Sequence, residues 1–273
     1  VSRMGREKRQ GFALGSAGVF IGVLVGCGGG STPAHAYIQT VTPKGLPVQW
    51  KKGFRLNLAG NPVNSSGLGE AEVFGALTRS LKRWESAGGG PVRFDYWQGT
   101  RPGVYLTTGE YDGLSSFHFD SNSAKGGGLT ANVLGLTQVW YSAETGEILE
   151  TDTILNDRDF VFTTDPRDTS GYGSPSGSSG FHASKPRVYI ENVLTHELGH
   201  SFGLSHSAGL QSTMLFMESP EQAHLGCDDQ VGIRALYPAA DAGARGIVSG
   251  QVVSESGAPV FGAHLLAISR VRG

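Results

Sequence analysis

His196-Glu197-Leu198-Gly199-His200-Ser201-Phe202-Gly203-Leu204-Ser205-His206 is the stretch on which the reading of this chain turns. Positions i and i+4 of a helix project side by side, so His196 and His200 can reach one ion, with Glu197 one step round the same turn. Gly203 is suited to end that helix, which lets His206 swing back as a third ligand. Three imidazoles leave a fourth tetrahedral position open to water, the arrangement of a catalytic rather than a structural zinc site. Zinc suits neutral imidazoles and brings the pKa of its water to about 7, so hydroxide is available at neutral pH. Glu197 then serves as general base, taking the water proton and passing it to a departing amine, and no Ser or Cys nucleophile is required.

Outward from this stretch, Ile190, Leu194, Leu198 and Phe202 form an i, i+4 ladder on the side opposite the histidines, which predicts a helix from near Arg187 with one packing face and one binding face. A further helix is expected over 228–236, with Asp228 and Asp229 at its positive end and Pro238 just beyond it. Upstream, Val73, Leu77, Leu81 and Trp84 predict a helix over 70–86, stopped by Gly88. Strands are predicted at 48–50, 54–58 and 92–97, more weakly at 103–107, and as an antiparallel pair at 134–141 and 148–155 joined by Ala143-Glu144-Thr145-Gly146. The Ser/Gly/Pro-rich run 169–180 reads as a loop.

A net charge of −2, with Lys and Arg scattered beyond residue 10, argues against nucleic-acid binding. Arg3, Arg6, Lys8 and Arg9 precede an apolar run at 12–26 that is too short for a permanent span, so residues 1–26 read as an export signal. Leu24-Val25-Gly26-Cys27 resembles a bacterial lipobox, which would lipidate Cys27 and make 27–47 a flexible tether; Ala34-His35-Ala36 offers a competing cleavage before Tyr37. The lipobox is favoured because it follows the apolar run directly. Two cysteines, Cys27 and Cys227, exclude a disulfide framework, and Cys227 reads as a small buried apolar residue. Residues 239–246 read as a linker, and 247–253 with 264–268 flank Ser256-Gly257-Ala258-Pro259 as a hairpin. That last segment, 247–273, resembles the opening strands of a carboxypeptidase-regulatory-like β-sandwich but stops early, which leaves either a fragment or strands that dock elsewhere.

The His-Glu-Leu-Gly-His-Ser-Phe-Gly-Leu-Ser-His run resembles the metzincin signature and is especially similar to matrixins. Ser212-Thr213-Met214, eight residues after His206, resembles the methionine-bearing turn beneath the metzincin zinc, and 225–238 resembles the last matrixin helix. The resemblance implies an α+β catalytic domain over 48–238: a twisted, mostly parallel sheet with an antiparallel edge strand, two long helices, and a C-terminal helix after the Met-turn. It implies a zinc-dependent endopeptidase with one catalytic ion and Met214 under it. It also implies an extended protein or peptide substrate added to a sheet edge, for which 134–141 with Gln138, Val139 and Trp140 is the candidate strand. Phe216 stands where some relatives carry a tyrosine near the zinc, and neither a Pro-Arg-Cys-Gly latency segment nor the histidine pattern of a second, structural zinc is found. His118, His182 and His224 read as isolated histidines, and calcium, bound through loop carbonyls, leaves no trace to read.

The expectation is therefore a monomeric peptide hydrolase exported from a bacterial cell, either secreted or held at the membrane only by its N-terminal lipid. An adhesive binding protein with a structural zinc is the rival, disfavoured because such a site has no use for Glu197; an amidase is a third reading. Mass spectrometry of the mature N-terminus should find diacylglycerol on Cys27, whereas an unmodified start at Tyr37 would overturn the lipobox reading.

Overall fold

The computed structural model describes residues 34–35, 37–88, 93–97, 111–121, 129–130, 132–169, 185–239, 252–260 and 266–267. In chain order the elements are β1 (Ala34–His35), β2 (Arg55–Gly60), α1 (Glu70–Ala87), β3 (Arg93–Trp97), β4 (Ser116–Phe119), β5 (Gly135–Tyr141), β6 (Ile148–Leu155), β7 (Val161–Thr163), β8 (Arg187–Tyr189), α2 (Ile190–Ser201), α3 (Cys227–Leu236) and β9 (Leu266–Ala267). The central sheet has the order β3-β2-β4-β6-β5. Its neighbours pair in parallel except β5, which runs antiparallel to β6 at one edge. This is the mostly parallel sheet with an antiparallel edge strand that the sequence resemblance implied.

α1 buries Val73, Phe74, Leu77, Leu81 and Trp84, the stripe seen in its periodicity, and the Glu72 carboxylate accepts the Gly69 N–H at its start (2.8 Å). It packs on α2 and is tied to it by polar contacts to buried groups of that helix. The Trp84 indole N–H donates to Thr195 O (2.9 Å), Thr195 donates to Ser80 (3.0 Å), and Arg79 and Arg83 both pair with the buried Glu191 carboxylate. Removing one partner would strand a buried charge or donor, so these contacts fix the position of α2 along and about its axis.

α2 departs from the sequence expectation in two ways. It begins at Ile190, because Arg187–Tyr189 forms β8 and pairs in parallel with β7, burying Val188. It is also buried nearly all round, since β5 and β6 cover the side that carries Glu197 and Ser201. Its end is as expected. Gly203 takes φ +89°, and a Cβ there would overlap the Val48 carbonyl oxygen. The carbonyls left at the helix end are capped from afar, Ser201 O by the Trp50 indole (2.8 Å) and Phe202 O by the Tyr237 hydroxyl (2.9 Å).

Several expectations are corrected. Residues 48–50 form no strand; Gln49 makes only an isolated bridge to Glu147. Residues 37–47, expected as the end of a flexible tether, are part of the folded body: Tyr37 is buried, Thr40 N donates to Gly203 O and Ser205 N to Ile38 O (both 2.8 Å). Cys227 packs partly buried against the core, and its sulfur is in a disulfide rather than free. The turn at 254–258 exists, but Val252 pairs with Val260 around it, while Leu266–Ala267 pairs with Ala34–His35. The strand expected at 103–107, the loop at 170–180 and His182 lie outside the described residues.

Gly203→Ala should lower the unfolding free energy by ~2 kcal/mol or more, because it combines a left-handed Ala with a backbone overlap. Urea denaturation checks this; a loss under ~0.5 kcal/mol would mean that the bend does not need glycine.

Candidate metal centre

His196 and His200 leave α2 one turn apart, and the bend at Gly203 returns the chain so that His206 faces them. The ligand-capable atoms of the three residues all lie within 4.8 Å of one another, the only such His/Cys/Asp/Glu group among the described residues. Each helical imidazole is oriented by a backbone carbonyl: His196 Nδ1 lies 2.8 Å from Thr213 O and His200 Nδ1 lies 2.9 Å from Leu204 O. A carbonyl can only accept, so Nδ1 carries the proton in both rings and Nε2 presents its lone pair inward. His200 Nε2 then sits 3.2 Å from His206 Nε2. Burial holds the rings neutral: His196 falls to about 4, and His200 and His206 are also lowered, His200 further by its two neighbours. Inward lone pairs on neutral, buried imidazoles fit a zinc ion held by His196, His200 and His206.

Glu197 is buried beside them, and desolvation pushes its carboxyl up to about 7 against a hydrogen bond from Thr137. Thr137 Oγ1 donates within 2.8 Å of Glu197 Oε2 and lies 2.9 Å from Glu197 O. Met214 is buried directly under the helix, where a Cβ on Gly199 would overlap its sulfur. The turn that carries it hangs from one carboxylate: Asp229 accepts from Thr213 N (2.7 Å), Met214 N (3.1 Å), Ser212 Oγ (2.6 Å) and Gly226 N (2.8 Å). The same group thus caps α3 and sets the carbonyl of Thr213 against His196. The buried Gln222 side-chain amide adds a second donor to Thr213 O (2.9 Å) and one to Leu215 O (2.7 Å).

Gln138, Val139 and Trp140 lie in the middle of β5, partly exposed, and Phe216 is largely exposed beyond the Met-turn. His118 is on β4, the central strand of the sheet, outside the histidine triplet, with its ring lowered to about 4 by burial; His224 lines a separate cavity of about 280 Å³ with Arg83 and Arg234. Cys27 lies outside the described residues. Sequence reasoning missed Thr137, Asp229 and Gln222 as parts of the centre. The sequence pattern gives Asp229 only a helix-end role; the other two have no local pattern to mark them, because their partners lie far along the chain.

Among the described residues no helix is long and apolar enough to cross a membrane. No curated protein matches the chain, but the family model described as Matrixin, Peptidase_M10, matches residues 50–238. With that match over more than half its length and a histidine triplet that fits the family's catalytic zinc, the chain belongs to the matrixins, a family of zinc metalloendopeptidases.

Proposed function

We propose that this protein is an exported endopeptidase that cuts extracellular proteins, with zinc held by His196, His200 and His206 and with Glu197 as general base. The observation that carries the reading is the convergence of three inward-facing imidazoles beside one buried carboxylate. When bound, zinc supplies Lewis acidity toward water and toward the developing oxyanion. The chain's own residues do the rest. Thr213 and Leu204 carbonyls hold two of the rings in the ligating tautomer. Glu197, buried beside the three rings, accepts the proton of the attacking water and returns it to the leaving amine.

The substrate is read as an extended peptide laid along β5 at Gln138, Val139 and Trp140. Support comes from β5 being the terminal strand of the sheet order and from its contact with Glu197 through Thr137. Main-chain hydrogen bonds along an edge give affinity without demanding a particular sequence. The protein acts as a monomer, exported by the signal read in 1–26. Lipid on Cys27 would leave that sulfur unable to pair with Cys227, so the mass of the mature N-terminus bears on both.

His206→Ala should lose about one equivalent of zinc, whereas Glu197→Gln should keep zinc and fold while casein hydrolysis falls by about three orders of magnitude or more. Full zinc in the first variant, or near-native activity in the second, would remove the respective role; an inactive wild type that retains zinc would favour the adhesive rival. Consecutive residues on an edge strand alternate between facing the sheet and facing out. Of Gln138→Pro and Val139→Pro, the one with the outward N–H should therefore raise the Michaelis constant for long peptides without loss of zinc or stability. Unchanged peptide kinetics in both folded variants would move the substrate edge elsewhere.

A further inference from the structure

We infer that Thr137 is a positioning residue for the Glu197 carboxylate, so that the edge strand read as the substrate platform also sets where the general base points. The inference rests on the reading of Glu197 as that base.

Gly135 and Thr137 occupy alternate positions on β5 and share the face turned toward α2. Thr137 stands opposite Thr153 of β6, its hydroxyl 3.3 Å from that of Thr153, which in turn lies 3.5 Å from Ser201 Oγ. Ser201 also lies against Glu197 O (3.4 Å), so a row of hydroxyls runs beneath the turn of α2 that carries Glu197. Thr137 has one proton and two acceptors in range, Glu197 Oε2 at 2.8 Å and Glu197 O at 2.9 Å. A hydrogen bond to an ionised acceptor is roughly twice as strong as one to a neutral acceptor, which directs the proton to the carboxylate. The Thr153 hydroxyl is placed to donate to Thr137 Oγ1 in turn. Gly135 makes room on the other side: a Cβ there would lie 2.9 Å from Glu197 Cγ and 3.0 Å from Oε1.

The strand thus meets this side chain at two points, leaving space for it at Gly135 and giving it a donor at Thr137. Threonine suits this task because its branched Cβ restricts χ1, so the hydroxyl is held where the sheet puts it. Oε2 is occupied by Thr137, which assigns the proton exchange with water to Oε1. Shifting β5 by one residue would remove space and donor together.

Thr137→Val removes the hydroxyl at similar volume, Thr137→Ala removes it with no added bulk should the valine not fold, and Thr137→Ser keeps it. With a long peptide substrate, the hydroxyl-free variant should lose about tenfold or more in kcat, ~1.4 kcal/mol of barrier, with the Michaelis constant within about twofold. Zinc content by elemental analysis should match wild type, and Thr137→Ser should recover kcat to within about threefold. Three results would overturn the inference: a hydroxyl-free variant with wild-type kcat, a serine variant as impaired as the valine, or a rise confined to the Michaelis constant. If Glu197→Gln is inactive while Thr137→Val is normal, only this inference fails; if Glu197→Gln is active, the base assignment fails with it.

Discussion

The backbone of Gly203 presses against the carbonyl of Val48, and that contact is possible only because the glycine adopts φ +89° and carries no side chain. Everything at the centre follows from the bend. Without it, α2 would continue, and two imidazoles a turn apart would have no third partner. With it, Leu204 brings its carbonyl onto His200 Nδ1 and His206 arrives opposite His200. The bend is itself held from both sides, since Thr40 donates to Gly203 O while Trp50 and Tyr237 take the two carbonyls just before it. A helix end that would otherwise fray is thereby tied to residues from both ends of the domain.

A rigid helix end also answers an energetic problem. Four titratable groups, His196, Glu197, His200 and His206, are gathered in a largely buried place, and burial disfavours the charged form of each. The fold offsets this with fixed dipoles rather than counter-charges: two backbone carbonyls, one threonine hydroxyl, and an aspartate that acts at one remove by holding the Met-turn. Burial keeps the imidazoles neutral while the carbonyls keep them pre-aimed, which is the state that binds a cation.

Much of this was legible in the sequence. The i, i+4 histidines and Gly203 carry their geometry locally, because helix periodicity and a left-handed terminus are properties of a few consecutive residues. The same holds for α1, whose stripe from Val73 to Trp84 is one continuous pattern, and for β5 and β6 with a short turn between them. Illegible parts depend on distant partners. β4 is four residues long and owes its place to β2 and β6; β8 looks from its own residues like the start of α2, because its strand identity comes from pairing with β7. Thr137 looks like any strand threonine until α2 is laid across it. The Tyr37–Pro47 stretch has a loop-like composition and becomes structured only by running beside 203–205.

That last pairing sets an upper limit on how much of the N-terminus can be trimmed. Ile38 and Thr40 form a short ladder with Ser205 and Gly203, immediately before the third histidine. A processing enzyme that cut beyond Thr40 would therefore unzip the support of His206 rather than merely shorten a leash. Both maturation points read from the sequence, at Cys27 and at Tyr37, fall upstream of the ladder and leave it whole. A pull on the N-terminus, as from an anchor in a membrane, would load the Ala34–His35 pairing first and then the backbone hydrogen bonds beside the three histidines, before it reached the central sheet.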